Sequence, residues 1–182
     1  AKVMEEKVEK TWFVTYSGNI SVPSTNYVSP IGFRFGKLGK TNFYVTAQLN
    51  PDFLGHAQHD FNYVNNEVED YSEEGYYVFD GTDYTPRFSI KGGLTFQPAR
   101  NFFLYTGAGY GQKSLLWQAS RHSYQNDQKI GDFVAQHEDF SASGIEVEAG
   151  MIIRTGKFII TGGLANLNFN YMFVDLGVGM GF

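Results

Sequence analysis

The chain has no cysteine. Disulfide staples and thiolate metal centres are therefore excluded, while the compartment stays open on this count. Positive charge is scarce: 14 Lys and Arg stand against 19 Asp and Glu, giving a net charge of −5 at pH 7. Nucleic acid needs a basic face, so it is not an expected partner. Also missing is any run of ~18 apolar residues, which a membrane-spanning helix requires. The mean hydropathy of −0.28 looks water-soluble. That index is blind, however, to strands whose residues alternate in polarity. No cleavable leader is visible, so an exported protein is expected here in mature or trimmed form.

What the chain does have is aromatic residues and glycine: 17 Phe, 12 Tyr and 21 Gly in 182 residues. The length suits one domain, and aromatics favour pleated surfaces. The first ten residues, AKVMEEKVEK, are charged and lack strand character. From Thr11 onward a period of two recurs to the last residue. The clearest case is Met172 to Phe182, where Met172, Val174, Leu176, Val178, Met180 and Phe182 share one face. Phe173, Asp175, Gly177, Gly179 and Gly181 occupy the other, and no helical period fits that pattern. Seven earlier segments read the same way: Thr11–Gly18, Val28–Gly36, Asn42–Asn50, Arg87–Phe96, Phe102–Lys113, Gly144–Arg154 and Phe158–Leu164.

The connections between them are uneven. Tight turns fall at Lys37–Lys40, Gln97–Asn101 and Thr155–Lys157, and a brief one at Ala165–Asn168. A medium connection runs from Asn19 to Tyr27, and long loops cover Pro51–Pro86 and Ser114–Ser143. Short turns on one side and longer loops on the other are the pattern of a transmembrane barrel. The two faces of the strands decide against a soluble barrel of the same strand number. One face is bulky, as in Ile31, Phe33 and Phe35, or Ile90, Leu94 and Phe96. The other is small, polar or charged, as in Gly32, Arg34 and Gly36, or Glu146, Glu148 and Gly150. Glycine on a solvent face would only weaken a strand. Inside a narrow barrel it makes room for larger side chains opposite. The expected fold is therefore all-β: an eight-stranded antiparallel transmembrane β-barrel with up-and-down meander topology.

The terminal alternation ending in Phe182 resembles the C-terminal strand signature read by the outer-membrane barrel assembly machinery. Ile31-Gly-Phe-Arg-Phe-Gly36, Gly92-Gly-Leu-Thr-Phe-Gln-Pro98, Leu104-Tyr-Thr-Gly-Ala-Gly-Tyr110 and Gly144-Ile-Glu-Val-Glu-Ala-Gly150 resemble the small OmpA-like outer-membrane barrel domains of Gram-negative bacteria. The resemblance runs from about Thr11 to Phe182 and implies an integral outer-membrane location, with both termini periplasmic. It divides the chain into a periplasmic lead-in over 1–10 and the barrel over 11–182. It implies lipid, lipopolysaccharide and the assembly machinery as partners, with Phe182 as the assembly signal. It carries no catalytic residues, and such barrels also occur fused to periplasmic domains.

Three places could carry chemistry. Parity points Arg34, Lys91, Lys113 and Arg154 inward with Glu146, Glu148 and Asp175. Intramembrane charges raise the idea of an ion path, but four against three nearly cancel, as a paired structural network must. The expectation is a salt-bridged plug in a lumen too narrow to conduct. The adjacent Glu146 and Glu148 resemble a paired-carboxylate site, yet a closed barrel gives substrate no access to them.

The loop Pro51–Pro86 holds His56, His59, Asp60, Glu67, Glu69, Asp70, Glu73 and Glu74. Carboxylates suit calcium and the histidines suit zinc. Their spacing matches no defined site, so a solvated acidic surface is expected and no metal or cofactor is assigned. Phe61, Tyr63, Tyr71, Tyr76, Tyr77 and Tyr84 in the same loop form a candidate binding surface, with mutual packing or an interfacial girdle as the plainer role. Finally, His122 and Ser123 suggest the lipid A hydrolases and acyltransferases found among small barrels. Adjacent residues on a strand point to opposite faces, which breaks the His-x-Ser spacing of those enzymes.

The expected function is accordingly non-enzymatic, through protein–protein contacts, as an accessory subunit of an outer-membrane complex or a membrane anchor. The alternatives are an adhesin or ligand-binding barrel using its long loops, a lipid A-modifying enzyme, and a small pore.

Overall fold

A computed structural model describes residues 11–22, 28–52, 59–64, 67–68, 75–137 and 140–182. Eight strands close into a barrel: β1 (Thr11–Val22), β2 (Val28–Leu38), β3 (Thr41–Asn50), β7 (Arg87–Ala99), β8 (Phe102–Lys113), β11 (Ala142–Thr155), β12 (Phe158–Leu167) and β13 (Tyr171–Gly181). Each pairs antiparallel with its chain neighbours in the ring, and β1 closes on β13 from Phe13↔Gly181 to Val22↔Met172. The protein is an eight-stranded antiparallel β-barrel with meander topology. Closure removes every free edge, so the barrel strands satisfy their backbone groups internally, which lipid demands. Trp12 and Phe182 exchange backbone hydrogen bonds of 3.0 and 2.9 Å, so both described ends lie at the short-turn end.

The alternation sets the two faces. Phe33, Phe43, Ile90, Leu94, Tyr110, Met151, Ile160 and Leu176 all point outward and exposed around the circumference. In water such a belt would be an aggregation surface; against acyl chains it is the face that holds a transmembrane barrel in place. Aromatics gather on the outside near the short turns. Trp12 stacks on Phe35 at 5.3 Å between ring centroids and meets Phe43 edge-on at 5.9 Å.

Inside, glycines are the negative image of two tyrosines. A Cβ at Gly93 would stand 2.7 Å from the Tyr44 ring, and one at Gly150 would stand 2.6 Å from that of Tyr105. Side chains at Gly107 and Gly163 would collide with the hydroxyls of Tyr44 and Tyr105 respectively. The two rings cross the lumen and meet edge-on at 5.5 Å.

The long loops are not loops throughout. They hold β4 (His59–Val64), β5 (Glu67–Val68), β6 (Gly75–Tyr84), β9 (Leu116–Ser123) and β10 (Lys129–His137), which form a second sheet in the order β5-β4-β10-β9-β6. β9 prolongs β8 after the break at Ser114–Leu115, and β6 leads into β7 through Thr85–Pro86. The sheet is mixed, because β4 runs parallel to β10. The connection from Asn19 also starts later than the alternation suggests, since β1 continues to Val22 against β13.

Candidate functional site

The lumen is filled in three tiers. At the short-turn end Phe13, Leu38, Phe103, Ile152 and Ile159 join Tyr44 and Tyr105 in a buried apolar cluster. At the opposite end Ala165, Leu167 and Phe173 are buried with Leu115, Ala142 and Tyr171 packed against them. Between these two clusters lies the charge network.

Alternation brings its members together from six strands. Arg34 on β2 pairs with Glu148 on β11 at 3.3 Å and Asp175 on β13 at 3.4 Å. Lys91 on β7 lies 2.6 Å from Glu146 and 3.3 Å from Glu148. One guanidinium nitrogen of Arg87 donates to both carboxylate oxygens of Glu146, each at 2.9 Å. Gln48 on β3 is the neutral hub. Its carbonyl accepts from Asn19 at 2.7 Å, Lys91 at 3.1 Å and Ser89 at 3.3 Å, and its amide donates to Asp175. Thr46 accepts from Arg34 Nε at 3.0 Å and donates to Glu148 at 3.3 Å. The Arg34 guanidinium also lies over the Tyr105 ring at 4.1 Å, and that of Arg87 over Phe173 at 3.3 Å.

Burying ions costs several kcal/mol each unless attraction and hydrogen bonds offset it. Every carboxylate here has at least one cation, and Arg34 and Lys91 each bridge two acids. Such a set braces the barrel wall from within.

Of the inward charges read from parity, Arg34, Lys91, Glu146, Glu148 and Asp175 meet in this network. Lys113 is buried at the outer end of the lumen with its amine 3.6 Å from the centre of the Tyr171 ring. Arg154 is not brought in. It sits by the Gly156 turn, donating to Thr11 Oγ1 at 2.7 Å and to the Gly156 carbonyl at 2.9 Å. Sequence reasoning passed over Arg87, although it shares parity with Ser89 and Lys91. It stands at the first position of its strand, where alternation has only one neighbour to support it.

The outer sheet holds the other candidates. Tyr76 stacks on His122 at 5.5 Å and donates its hydroxyl to Asp127, which holds the phenol above its ordinary range. Tyr77 is half-buried on β6, and Tyr84 donates to Gln118 at 2.9 Å. Phe61 and Tyr63 lie on β4, paired with β10 at Ala135 and His137. Tyr71, His56, Glu69, Asp70, Glu73 and Glu74 lie outside the described residues. His59, Asp60 and Glu67 are placed on β4 and β5.

His122 meets a serine hydroxyl other than that of Ser123. The Ser120 hydroxyl is 3.1 Å from His122 Nε2, and Nδ1 faces the Asp127 backbone carbonyl at 3.2 Å. Positions 120 and 122 share a strand face, as period two requires. The Asp127 carboxylate stands 4.0 Å from Nδ1, too far for the hydrogen bond that orients a catalytic imidazole. Ser123 instead accepts from the Gln125 backbone at 3.2 Å, closing the β9–β10 turn.

Fold and lumen define a small transmembrane β-barrel with a filled interior. No family model matches the chain, and no curated protein does. Among solved structures it is similar to Ail, the attachment invasion locus protein of Yersinia pestis, at 13% identity, with 97% of this chain and 100% of that one covered and a TM-score of 0.49. It is similar to the N-terminal β-barrel domain of Pseudomonas aeruginosa OprF, at 14% identity over 97% and 100% of the two chains, with a TM-score of 0.49. A de novo designed transmembrane β-barrel matches at 10% identity over 94% and 95%, with a TM-score of 0.47.

Proposed function

We propose that this protein is a non-enzymatic integral outer-membrane barrel that works through protein–protein contacts, as an accessory subunit or as an anchor for a neighbouring domain. The observation that carries the reading is the lumen, filled by an apolar cluster towards each end around a paired charge network. A filled interior leaves the surfaces beyond the membrane to do the work, and the sheet β5-β4-β10-β9-β6 is the largest of these among the described residues. In the same reading the short-turn end and both termini are periplasmic, with residues 1–10 a periplasmic lead-in. Phe182 marks the last strand for the barrel assembly machinery, and lipopolysaccharide acyl chains cover the outer half of the apolar belt.

Purification from the native membrane in mild detergent tests this. A stoichiometric partner chain, lost when the outer sheet is deleted, is the expected result. A particle containing this chain alone would contradict the accessory-subunit role.

A second reading, a ligand-binding or adhesive barrel, draws on the exposed Tyr124, Ile130 and Phe140 of the outer region. Under that reading the purified chain alone binds ligand, and sheet deletion removes the binding. An enzyme is disfavoured because the Ser120–His122 pair lacks an orienting carboxylate. Fluorophosphonate should therefore leave Ser120 unlabelled, and labelling lost in Ser120→Ala would reopen that possibility.

A further inference from the structure

Charge is distributed very unevenly along the barrel axis. Residues 51–86 hold nine Asp and Glu with no Lys or Arg, and residues 114–143 hold four acids against two bases. The three short turns and the strand ends beside them carry Lys37, Lys40, Arg100, Arg154 and Lys157, with no acid in 37–43, 97–102 or 154–159. The lumen network holds three bases, Arg34, Arg87 and Lys91, against three acids, Glu146, Glu148 and Asp175, and is internally paired.

The basic groups are spread around the rim rather than gathered in a patch. Lys37 and Lys40 flank the β2–β3 turn, Arg100 sits in the β7–β8 turn and Lys157 in the β11–β12 turn. In ring order these turns alternate around the barrel, with the Trp12–Phe182 pairing filling the remaining quarter. Lys40, Arg100 and Lys157 are exposed, and Lys37 extends along the outer face with its amine 5.1 Å from the centre of the Trp12 ring. Immediately inward on the outside lie Trp12, Phe35, Phe43 and Phe158, the aromatic girdle that settles at the membrane–water boundary. The girdle fixes the depth of the rim, and the lysines beside it reach the level of lipid phosphates.

We infer that the short-turn rim is a binding annulus for anionic phospholipid headgroups, so that the barrel selects phosphatidylglycerol-like lipids in the leaflet at that end. The inference rests on the membrane-barrel reading above. A protein partner would dock on one side, whereas charges around most of the perimeter match a ring of lipids. Arg154 stands at the same rim, its guanidinium donating to Thr11 Oγ1 and to the Gly156 carbonyl. The acid-rich connections 51–86 and 114–143, which join the strands at the opposite end, confine the preference to one leaflet.

The two tryptophans make this testable. Trp117 packs between Phe79 and His137 in the outer sheet, so Trp117→Phe leaves Trp12 as the sole reporter at the rim. The variant is refolded into phosphatidylcholine vesicles containing brominated-chain phosphatidylglycerol, or brominated phosphatidylcholine beside unlabelled phosphatidylglycerol. The phosphatidylglycerol label should quench Trp12 with an apparent lipid affinity roughly fivefold higher, the effect of about one charge near an anionic surface. That preference should collapse in high salt, and in the quadruple variant Lys37→Gln, Lys40→Gln, Arg100→Gln, Lys157→Gln. The salt series on the parent settles the question if the quadruple variant does not fold. Equal quenching by both lipids overturns the annulus and leaves the barrel reading intact. Selectivity that persists in high salt or in the quadruple variant also overturns it. Absence of quenching by either lipid overturns the annulus and the membrane reading together.

Discussion

At the residue scale, Glu146 bears the heaviest electrostatic duty. It accepts from both Arg87 and Lys91 with none of its side chain exposed. Glu146→Ala would strand the buried Arg87 and leave Lys91 with Glu148 as its one acid, at a cost of about 3–5 kcal/mol. Urea unfolding in lipid vesicles measures this directly. A loss below about 1 kcal/mol would show that water, and not Glu146, neutralises those cations. Replacing Arg87 and Glu146 together by Met removes one cation with its acid, leaves Lys91 on Glu148, and should be roughly neutral. Much of the network was legible, since period two assigns Arg34, Lys91, Glu146, Glu148 and Asp175 to one face. Depth along the strand was not, because Arg154 shares that parity yet belongs to the rim. Partner identity was also invisible, and Gln48 shows no sequence sign of being the hub.

At the element scale, the barrel strands were legible because lipid on one side and a narrow lumen on the other enforce strict alternation. The outer sheet was not. Its strands β6, β9 and β10 are held partly by cross-strand pairs such as Phe79 against Trp117, and their two faces differ less in polarity. Cutting both long connections back to short turns should leave a barrel with unchanged heat-resistant migration in gels, because its ring pairs without them. Failure to fold would make the sheet part of the barrel's own stability. The β12–β13 hairpin raises a different point. Asn168 and Phe169 both adopt left-handed backbone, with φ of 53° and 60°. Asn tolerates this, but for Phe it costs about 1–2 kcal/mol, and the residue is 77% exposed. Phe169→Gly should therefore stabilise the barrel by about 1 kcal/mol in urea unfolding. Unchanged or lower stability would mean that the ring gains as much from its surroundings as its backbone loses.

At the scale of the whole molecule, the structure is a bipolar cylinder. One end carries basic turns and an aromatic girdle, the other an acid-rich mixed sheet, and the interior between them is packed with side chains. The alternating faces implied the packed interior, and the glycines at 93, 107, 150 and 163 gave its narrowness in advance. The apolar clusters that cap it were hidden, because Phe13, Leu38 and Phe103 read in isolation as ordinary strand residues. A filled lumen is what turns attention from transport to surfaces, and a planar bilayer tests it most directly. Purified protein at physiological salt should give no discrete conductance steps at either polarity over prolonged recording. Reproducible single-channel openings from the parent protein would contradict the filled lumen and, with it, the assignment of function to the surfaces beyond the membrane.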